Sequence, residues 1–144
     1  MMPNDILLGE VGRLLEEGKD VELMTRGSSM HPFIRGDIDS VRLRKVPDET
    51  LTVGDIVLAE VEKGRYVLHR IVDTGADGLT LMGDGNLRGR EHCGRDNVLG
   101  KVTAVVVPSG KLKSPGKAVL WRRLGPYARR VLLAFYRRII LVLY

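Results

Sequence analysis

A serine and a histidine in this chain stand in surroundings that suit nucleophilic catalysis. The serine is Ser29, within Gly27-Ser28-Ser29-Met30-His31-Pro32, and the histidine is His69, within Tyr66-Val67-Leu68-His69-Arg70. Glycine allows the sharp turn that presents a hydroxyl outward, and a serine attacks only when a base lies within hydrogen-bonding reach. Histidine, whose ordinary pKa is about 6.5, suits that task near neutral pH. The two residues therefore predict a Ser–His hydrolase, on condition that the fold brings them together.

Each of these residues, taken alone, is more often structural than catalytic. A serine next to a proline turn is typical of ordinary loops. His69 lies in an alternating segment that places Val67, His69 and Ile71 on one face of a strand, and a histidine among apolar neighbours usually packs in the core. The segment Met82-Gly83-Asp84-Gly85-Asn86 reads equally well as a plain turn, or as one that aims a carboxylate at a histidine or approaches a substrate backbone closely.

The elements that must position these residues are mostly short strands. The chain has 144 residues, of which 44% are hydrophobic and 5% aromatic, and this predicts one domain with an aliphatic core. An amphipathic segment from Asn4 to about Glu17, ended by Gly18, predicts a preceding helix, and Glu62-Lys63-Gly64-Arg65 predicts a hairpin. Strands are predicted at 21–25, 38–43, 55–61, 66–72, 79–82 and 98–107. We therefore expect a mainly β fold made of an N-terminal helix (1–20), a β domain (21–110), a linker (111–117) and a tail helix (118–144).

Cysteine, metal and membrane signals are few. The single Cys93 excludes an internal disulfide, and no Cys/His spacing resembles a structural zinc site, so no metal or cofactor is expected. His92 and Cys93 do not read as a catalytic pair, because neighbouring residues in a strand would point to opposite faces. The N-terminus does not resemble a signal peptide, and no run of about eighteen apolar residues predicts a membrane span. These signals predict a cytoplasmic protein, peripheral at the inner face of the plasma membrane if its tail binds lipid.

The C-terminal segment differs from the rest of the chain in charge. From Lys117 onward there are one lysine, six arginines and no acidic residue, whereas the rest carries 16 basic and 18 acidic residues. Pro126 suits the first position of a helix after Gly125. On that helix the arginines occupy one half of the circumference and the apolar residues the other. These apolar residues are Trp121, Leu124, Ala128, Val131, Leu132, Phe135, Ile139, Val142 and Leu143.

Such a basic amphipathic helix suits an anionic membrane surface, here through residues 118–144. The alternative is a helix packed on the protein's own core or on a partner, with solvated arginines. Nucleic acid is not expected as a partner, because few aromatic residues interleave with the arginines.

Five segments between about Glu22 and Val107 together resemble the type I signal peptidases and their serine peptidase superfamily. In chain order they are Ser29-Met30-His31-Pro32, Gly54-Asp55-Ile56-Val57, Tyr66 to Val72, Gly83-Asp84-Gly85-Asn86 and Val98-Leu99-Gly100-Lys101-Val102. Most bacterial members place a lysine at the base position, whereas the endoplasmic-reticulum and archaeal subtype has His-Arg there. The pair His69-Arg70 therefore resembles the Ser–His subtype.

This resemblance implies a signal-peptidase/LexA-like β fold and a peptidase that works with a Ser–His dyad. Ser29 would be the nucleophile, and His69 would be the general base and then the general acid. The Ser29 backbone N–H would be one oxyanion donor. Asp84 and Glu91 are the candidates for an acid that orients His69.

The same resemblance implies that Ser28, Met30 and Pro32 position the oxyanion or the substrate. Many members have a serine where this chain has Gly27, so Ser28 is displaced by one position. The expected function is a serine endopeptidase that cuts a leader or precursor peptide after a small residue, holding it as an extra strand. The alternatives are a non-catalytic peptide-binding module on the same scaffold and a self-cleaving regulator. The regulator is ranked lower because only a short helix precedes Ser29.

Overall fold

The computed structural model describes residues 4–86 and 89–143, which form one antiparallel sheet with three helices. The helices are α1 (Asn4–Glu16), α2 (Val119–Arg123) and α3 (Pro126–Leu143). The strands are β1 (Val21–Met24), β2 (Ser40–Arg44), β3 (Ile56–Glu62), β4 (Arg65–Gly75), β5 (Gly78–Met82), β6 (Glu91–Cys93), β7 (Val98–Val106) and β8 (Leu112–Lys113). The expectation of a mainly β chain is confirmed.

The sheet has the strand order β1-β2-β7-β3-β4-β5-β6, and β8 pairs with β7. The predicted hairpin joins β3 to β4 through Lys63 and Gly64, and Gly64 has the positive φ of 78° that the turn requires. β4 is longer than β5, which pairs with it only from Arg70 to Gly75. Residues 65–69 therefore have β3 on one side and no described strand on the other.

Two apolar clusters lie on opposite faces of the sheet. Strand β3 divides between them by its alternation, since Ile56 and Leu58 belong to the first cluster and Val57 and Ala59 to the second. Helix α1 covers the first cluster with buried Val11 and Leu15. The second cluster is completed by residues of β4, β5 and β7 and of the loop before β3, namely Leu51, Ile71, Leu79, Leu81 and Val98.

Helix α1 ends where the sequence predicts. Gly18 has a φ of 82°, and its N–H donates to the carbonyl of Leu15 at 2.9 Å. A glycine in the left-handed conformation closes the last turn in this way. The predicted apolar side chain of Leu7 lies outside the described side chains.

Two short strands were not predicted from the sequence. β6 reads Glu91-His92-Cys93 and has no apolar alternation, and it is a strand because it pairs with β5. β8 lies inside the segment 111–117 predicted as a linker and pairs with the end of β7. In the tail, Pro126 is the first residue of α3 as predicted. The helical conformation is interrupted at Leu124 and Gly125, so the tail contains the two helices α2 and α3 where one was predicted.

Candidate active site

Ser29 lies in a turn between β1 and β2 that is anchored in the first apolar cluster. Gly27 has a φ of 76°, which a side chain would disfavour. Met30 and Ile34 are buried, at 4% and 1% exposure, and the Ile34 N–H donates to the Met30 carbonyl at 3.0 Å. Ser29 itself is half-buried, whereas Ser28 is exposed. The turn thus holds Ser29 at the surface of the first apolar cluster.

Two residues of the turn after β5 support the backbone of Ser29. The Gly85 N–H donates to the Ser29 carbonyl at 2.8 Å. A Cβ at Gly83 would collide with that same carbonyl. Glycines are therefore needed in this segment because the turn closely approaches the backbone of Ser29.

His69 lies in the middle of β4, opposite Val57 of β3. It shares a face with Val67 and Ile71, as the alternation predicts, and is only 7% exposed. Burial lowers the pKa of His69 below its ordinary 6.5, the charge of Glu91 opposes this shift, and the charge of Arg65 adds to it. The Nδ1 atom of His69 is buried and makes no hydrogen bond to any described residue. The imidazole is therefore held in its neutral form, which is the form that accepts a proton.

Ser29 and His69 line the same cleft, which has a volume of about 400 Å³. Its apolar lining includes Leu23 at the end of β1 and Leu68 of β4. Among the hydrogen bonds of the described residues, none joins the Ser29 hydroxyl to the His69 ring. The fold thus brings Ser29 and His69 to the lining of one cleft, and their side chains are not hydrogen-bonded to each other.

Asp84 makes an ion pair with Arg70 and no hydrogen bond to His69. Arg70 is fully buried at 0% exposure, and its Nη2 and Nε atoms lie 2.7 and 2.9 Å from the two carboxylate oxygens of Asp84. Its Nη1 donates to the carbonyls of Gly54 and Gly116 at 2.8 and 2.9 Å. Burial raises the pKa of Asp84, and the hydrogen bonds and charge of Arg70 oppose that shift. Asp84 therefore ties the turn after β5 to β4, and it is not placed to orient His69.

Glu91 is the other candidate for an orienting acid. It makes an ion pair with Arg65, with Oε2 and Nη2 separated by 2.7 Å, and its side chain is 29% exposed. The hydrogen bond from Arg65 lowers the pKa of Glu91, so this carboxylate is ionised at neutral pH. The charge of Glu91 opposes the lowering of the His69 pKa, whereas Asp84 is paired with Arg70.

Arg70 joins Asp84 to the carbonyls of Gly54 and Gly116. The sequence did not predict this role, because the pair His69-Arg70 served there only to distinguish two subtypes. The signal that could have found it is a cationic residue inside an apolar strand. A buried arginine requires a carboxylate partner, and the next acid in a glycine turn is Asp84.

The C-terminal segment packs onto the back of this site. The Trp121 indole Nε1–H donates to the Asp84 carbonyl at 2.8 Å, and the Trp121 ring meets Phe33 edge to face at 6.0 Å. The Arg70 guanidinium lies 5.4 Å from the centre of the Phe33 ring.

Further along the tail, the Tyr136 ring of α3 meets the His31 ring edge to face, with their centres 5.5 Å apart. His31 is half-buried beside this ring of the tail. Pro32, the following residue, is also half-buried.

We expect replacement of Trp121 by phenylalanine to lower the free energy of unfolding by about 1 to 2 kcal/mol, because it removes the indole donor and leaves a buried carbonyl unpaired. Urea denaturation monitored by circular dichroism measures the change. The matched control is Leu120→Phe at a residue that is 80% exposed, where a change within about 0.5 kcal/mol is expected. Equal stabilities of the wild type and Trp121→Phe would show that the tail does not dock on Asp84 in solution.

His92 and Cys93 have separate, structural surroundings. His92 is exposed and its Nδ1 lies 3.2 Å from the Thr80 hydroxyl. Cys93 packs on the second cluster, and burial raises the pKa of its thiol, which disfavours the reactive thiolate. Within residues 4–86 and 89–143, no three His, Cys, Asp or Glu side chains gather into a metal-binding group.

Comparison of the chain with protein-family models, curated proteins and solved structures gives no match. The resemblance to the signal peptidases therefore rests on the motifs of this sequence. In the described part of the chain, no helix combines the length and the apolar character needed to cross a bilayer.

Proposed function

We propose that this protein is a serine endopeptidase of the signal-peptidase type, which cleaves a leader or precursor peptide with Ser29 and His69. The observation that supports this most strongly is that both residues line one cleft although forty positions separate them in the chain. The proposal is also supported by the turn that contains Gly83, which packs against the Ser29 backbone, and the resemblance assigns these two segments to a signal-peptidase/LexA-like fold. The antiparallel sheet is consistent with that fold.

In the proposed reaction, the neutral His69 takes the proton of the Ser29 hydroxyl while the oxygen attacks the scissile carbonyl carbon. The carbonyl oxygen becomes an oxyanion, and the Ser29 backbone N–H donates a hydrogen bond to it. His69 then gives the proton to the leaving amine as the C–N bond breaks, which leaves an acyl-enzyme. Water, deprotonated by His69, hydrolyses this ester and restores the serine.

The substrate would bind as an extended strand. The cleft lies between the end of β1, which is the outermost strand of the described sheet, and residues 66–69 of β4, which lack a described neighbour on one side. Unpaired N–H and C=O groups on such edges bind an extended peptide by main-chain hydrogen bonds. Leu23, Leu58 and Leu68 give the cleft an apolar lining suited to small apolar side chains of the substrate.

In the proposed mechanism, substrate binding brings the Ser29 hydroxyl and the His69 ring within hydrogen-bonding reach. Catalytic hydrogen bonds are often long or poorly aligned in ligand-free enzymes and shorten in the complex. The buried and unpaired Nδ1 of His69 is then available for an orienting acid. We assign that role to Glu91, whose carboxylate would exchange part of its pairing with Arg65 for a bond to the imidazole.

A non-catalytic peptide-binding module is the second candidate. The absence of a hydrogen bond between the two described side chains Ser29 and His69 favours it, because the cleft could bind a peptide without cutting it. The two functions differ in the reactivity of the Ser29 hydroxyl.

Covalent labelling of Ser29 tests the proposed function directly. The full chain is incubated with a fluorophosphonate probe, and the adduct is located by intact-mass and peptide mass spectrometry. We expect labelling of the wild type and of Ser28→Ala, in which the neighbouring exposed hydroxyl is removed, and none of Ser29→Ala. A wild type that binds peptides but stays unlabelled would support the binding module and overturn the peptidase.

The rate of this labelling should depend on the protonation of His69. A protonated imidazole cannot accept a proton, and burial lowers the pKa of His69 below 6.5. As the pH falls from 8, we therefore expect the rate to fall with a midpoint below pH 6.5. His69→Gln should lower the labelling rate at pH 7.5 by about a hundredfold or more, and its rate should no longer fall over the pH range in which the wild-type rate falls. If the rate of His69→Gln still fell with the same midpoint pH, the base would be another group.

A further inference from the structure

Helix α3 has an apolar face that points away from the protein. Tyr127, Val131 and Phe135 are 80%, 51% and 66% exposed. They follow one another at intervals of four residues, so they form one stripe along the helix. Leu120, on α2, is 80% exposed as well. We call the three α3 residues, together with Arg130 and Arg138, the α3 outer face.

The opposite side of α3 packs against the rest of the protein. Leu133 is buried at 3% exposure, and Tyr136 contacts His31 next to the Ser29 turn. The stripe of Tyr127, Val131 and Phe135 is therefore not required for packing within the chain. Of the apolar positions named from the sequence, Val131 and Phe135 are exposed. Among the described side chains of α3 it is Leu133, which was not one of those positions, that is buried. The side chains of 137 and 139–143 lie outside the described ones.

The charge around the α3 outer face is positive. Arg123, Arg130 and Arg138 are exposed, and no acidic residue occurs anywhere from Lys117 to Tyr144. Basic residues near an anionic bilayer are attracted to its negatively charged headgroups. Exposed aromatic and aliphatic side chains between them add apolar contact with the acyl chains. This combination fits an anionic lipid surface better than an acidic protein, because a protein partner need not supply a broad apolar layer next to distributed negative charge.

We propose that the α3 outer face binds the surface of an anionic bilayer, with α3 lying in the plane of the headgroups. Since Tyr136 on the inner side of α3 touches His31, the Ser29 turn then stays close to the membrane. A precursor peptide held at a membrane surface would meet the cleft there. The lipid interaction itself does not depend on catalysis by Ser29.

Vesicle co-sedimentation of the full chain tests the proposal. One set of vesicles contains phosphatidylcholine alone, and the other contains equal parts of phosphatidylcholine and phosphatidylserine. We expect binding to the mixed vesicles, weak binding to the neutral ones, and release by salt. Phe135→Glu should weaken binding to the mixed vesicles by about tenfold or more, because it places a carboxylate in the apolar stripe.

The matched control is Leu112→Glu, which makes the same change of charge at a residue that is 53% exposed on β8. We expect this variant to bind almost as well as the wild type. Equal losses in Leu112→Glu and Phe135→Glu would overturn the proposal, because net charge alone would then explain the binding. A dimer that Phe135→Glu dissociates, without vesicle binding by the wild type, would overturn it in favour of self-association. Salt-sensitive binding to duplex DNA, without binding to vesicles, would overturn the proposal in favour of nucleic acid as the partner.

Discussion

Replacing Ser29 with alanine is expected to abolish peptide cleavage while leaving the fold intact. Removal of the nucleophile from a hydroxyl–imidazole pair lowers the turnover by about four orders of magnitude or more. Ser29 is half-buried and lies in a turn that is held by backbone hydrogen bonds of its neighbours. The free energy of unfolding should therefore change by no more than about 0.5 kcal/mol.

The measurement is incubation with a diverse peptide library, followed by identification of new termini by mass spectrometry. It can be made before any substrate is identified, and it also shows whether cleavage follows a small residue. Ser28→Ala is the control, since it removes an adjacent exposed hydroxyl. Undiminished cleavage by Ser29→Ala would end the peptidase proposal, and a product of the chain's own cleavage would indicate a self-cleaving regulator.

Replacing Arg70 with methionine is expected to produce the largest loss of stability. Methionine keeps the apolar stem of the side chain but removes the guanidinium. The Asp84 carboxylate, in a residue that is only 4% exposed, then has no cationic partner. Removing one member of a buried ion pair costs about 3 to 5 kcal/mol, because the remaining charge is uncompensated. Arg70 also bonds to the carbonyls of Gly54 and Gly116, and these bonds are lost at the same time. Urea denaturation measures the change.

Two further variants separate this effect from a general loss of charge. Arg44→Met breaks the exposed ion pair with Asp20, in which the side chains are 59% and 53% exposed, and should cost no more than about 1 kcal/mol. The double variant of Arg70→Met with Asp84→Asn should be less destabilised than the sum of its single changes, because no buried charge remains. Additive single effects would show that Arg70 and Asp84 do not form a pair in solution.

The variants of Arg70 also bear on the catalytic proposal. Asp84 belongs to the turn whose Gly85 N–H holds the Ser29 carbonyl, so breaking the ion pair should loosen the support of the nucleophile. Fluorophosphonate labelling of Ser29 should therefore be slower in Arg70→Met under conditions in which this variant is still folded. In Arg44→Met the labelling rate should match that of the wild type.

Local elements of this protein follow from local sequence. The end of α1 at Gly18, the hairpin at Gly64 and the start of α3 at Pro126 are confirmed, because each depends on the backbone preference of one residue. β6 was missed for the complementary reason, since Glu91-His92-Cys93 has no strand signal of its own and becomes a strand by pairing with β5.

The sequence by itself determined the alternation of β4, and hence that His69 and Arg70 point to opposite faces of the sheet. It also identified Ser29 in its turn and a C-terminal segment without acidic residues. Only the tertiary structure decided that Ser29 and His69 line one cleft and that Asp84 binds Arg70 and Trp121 rather than His69. It also decided that, among the described side chains of α3, Leu133 is buried. The physical reason is that alternation and turns depend on neighbouring residues. Ion pairs, clefts and packed faces depend on how distant segments meet when the sheet and the tail close on one another.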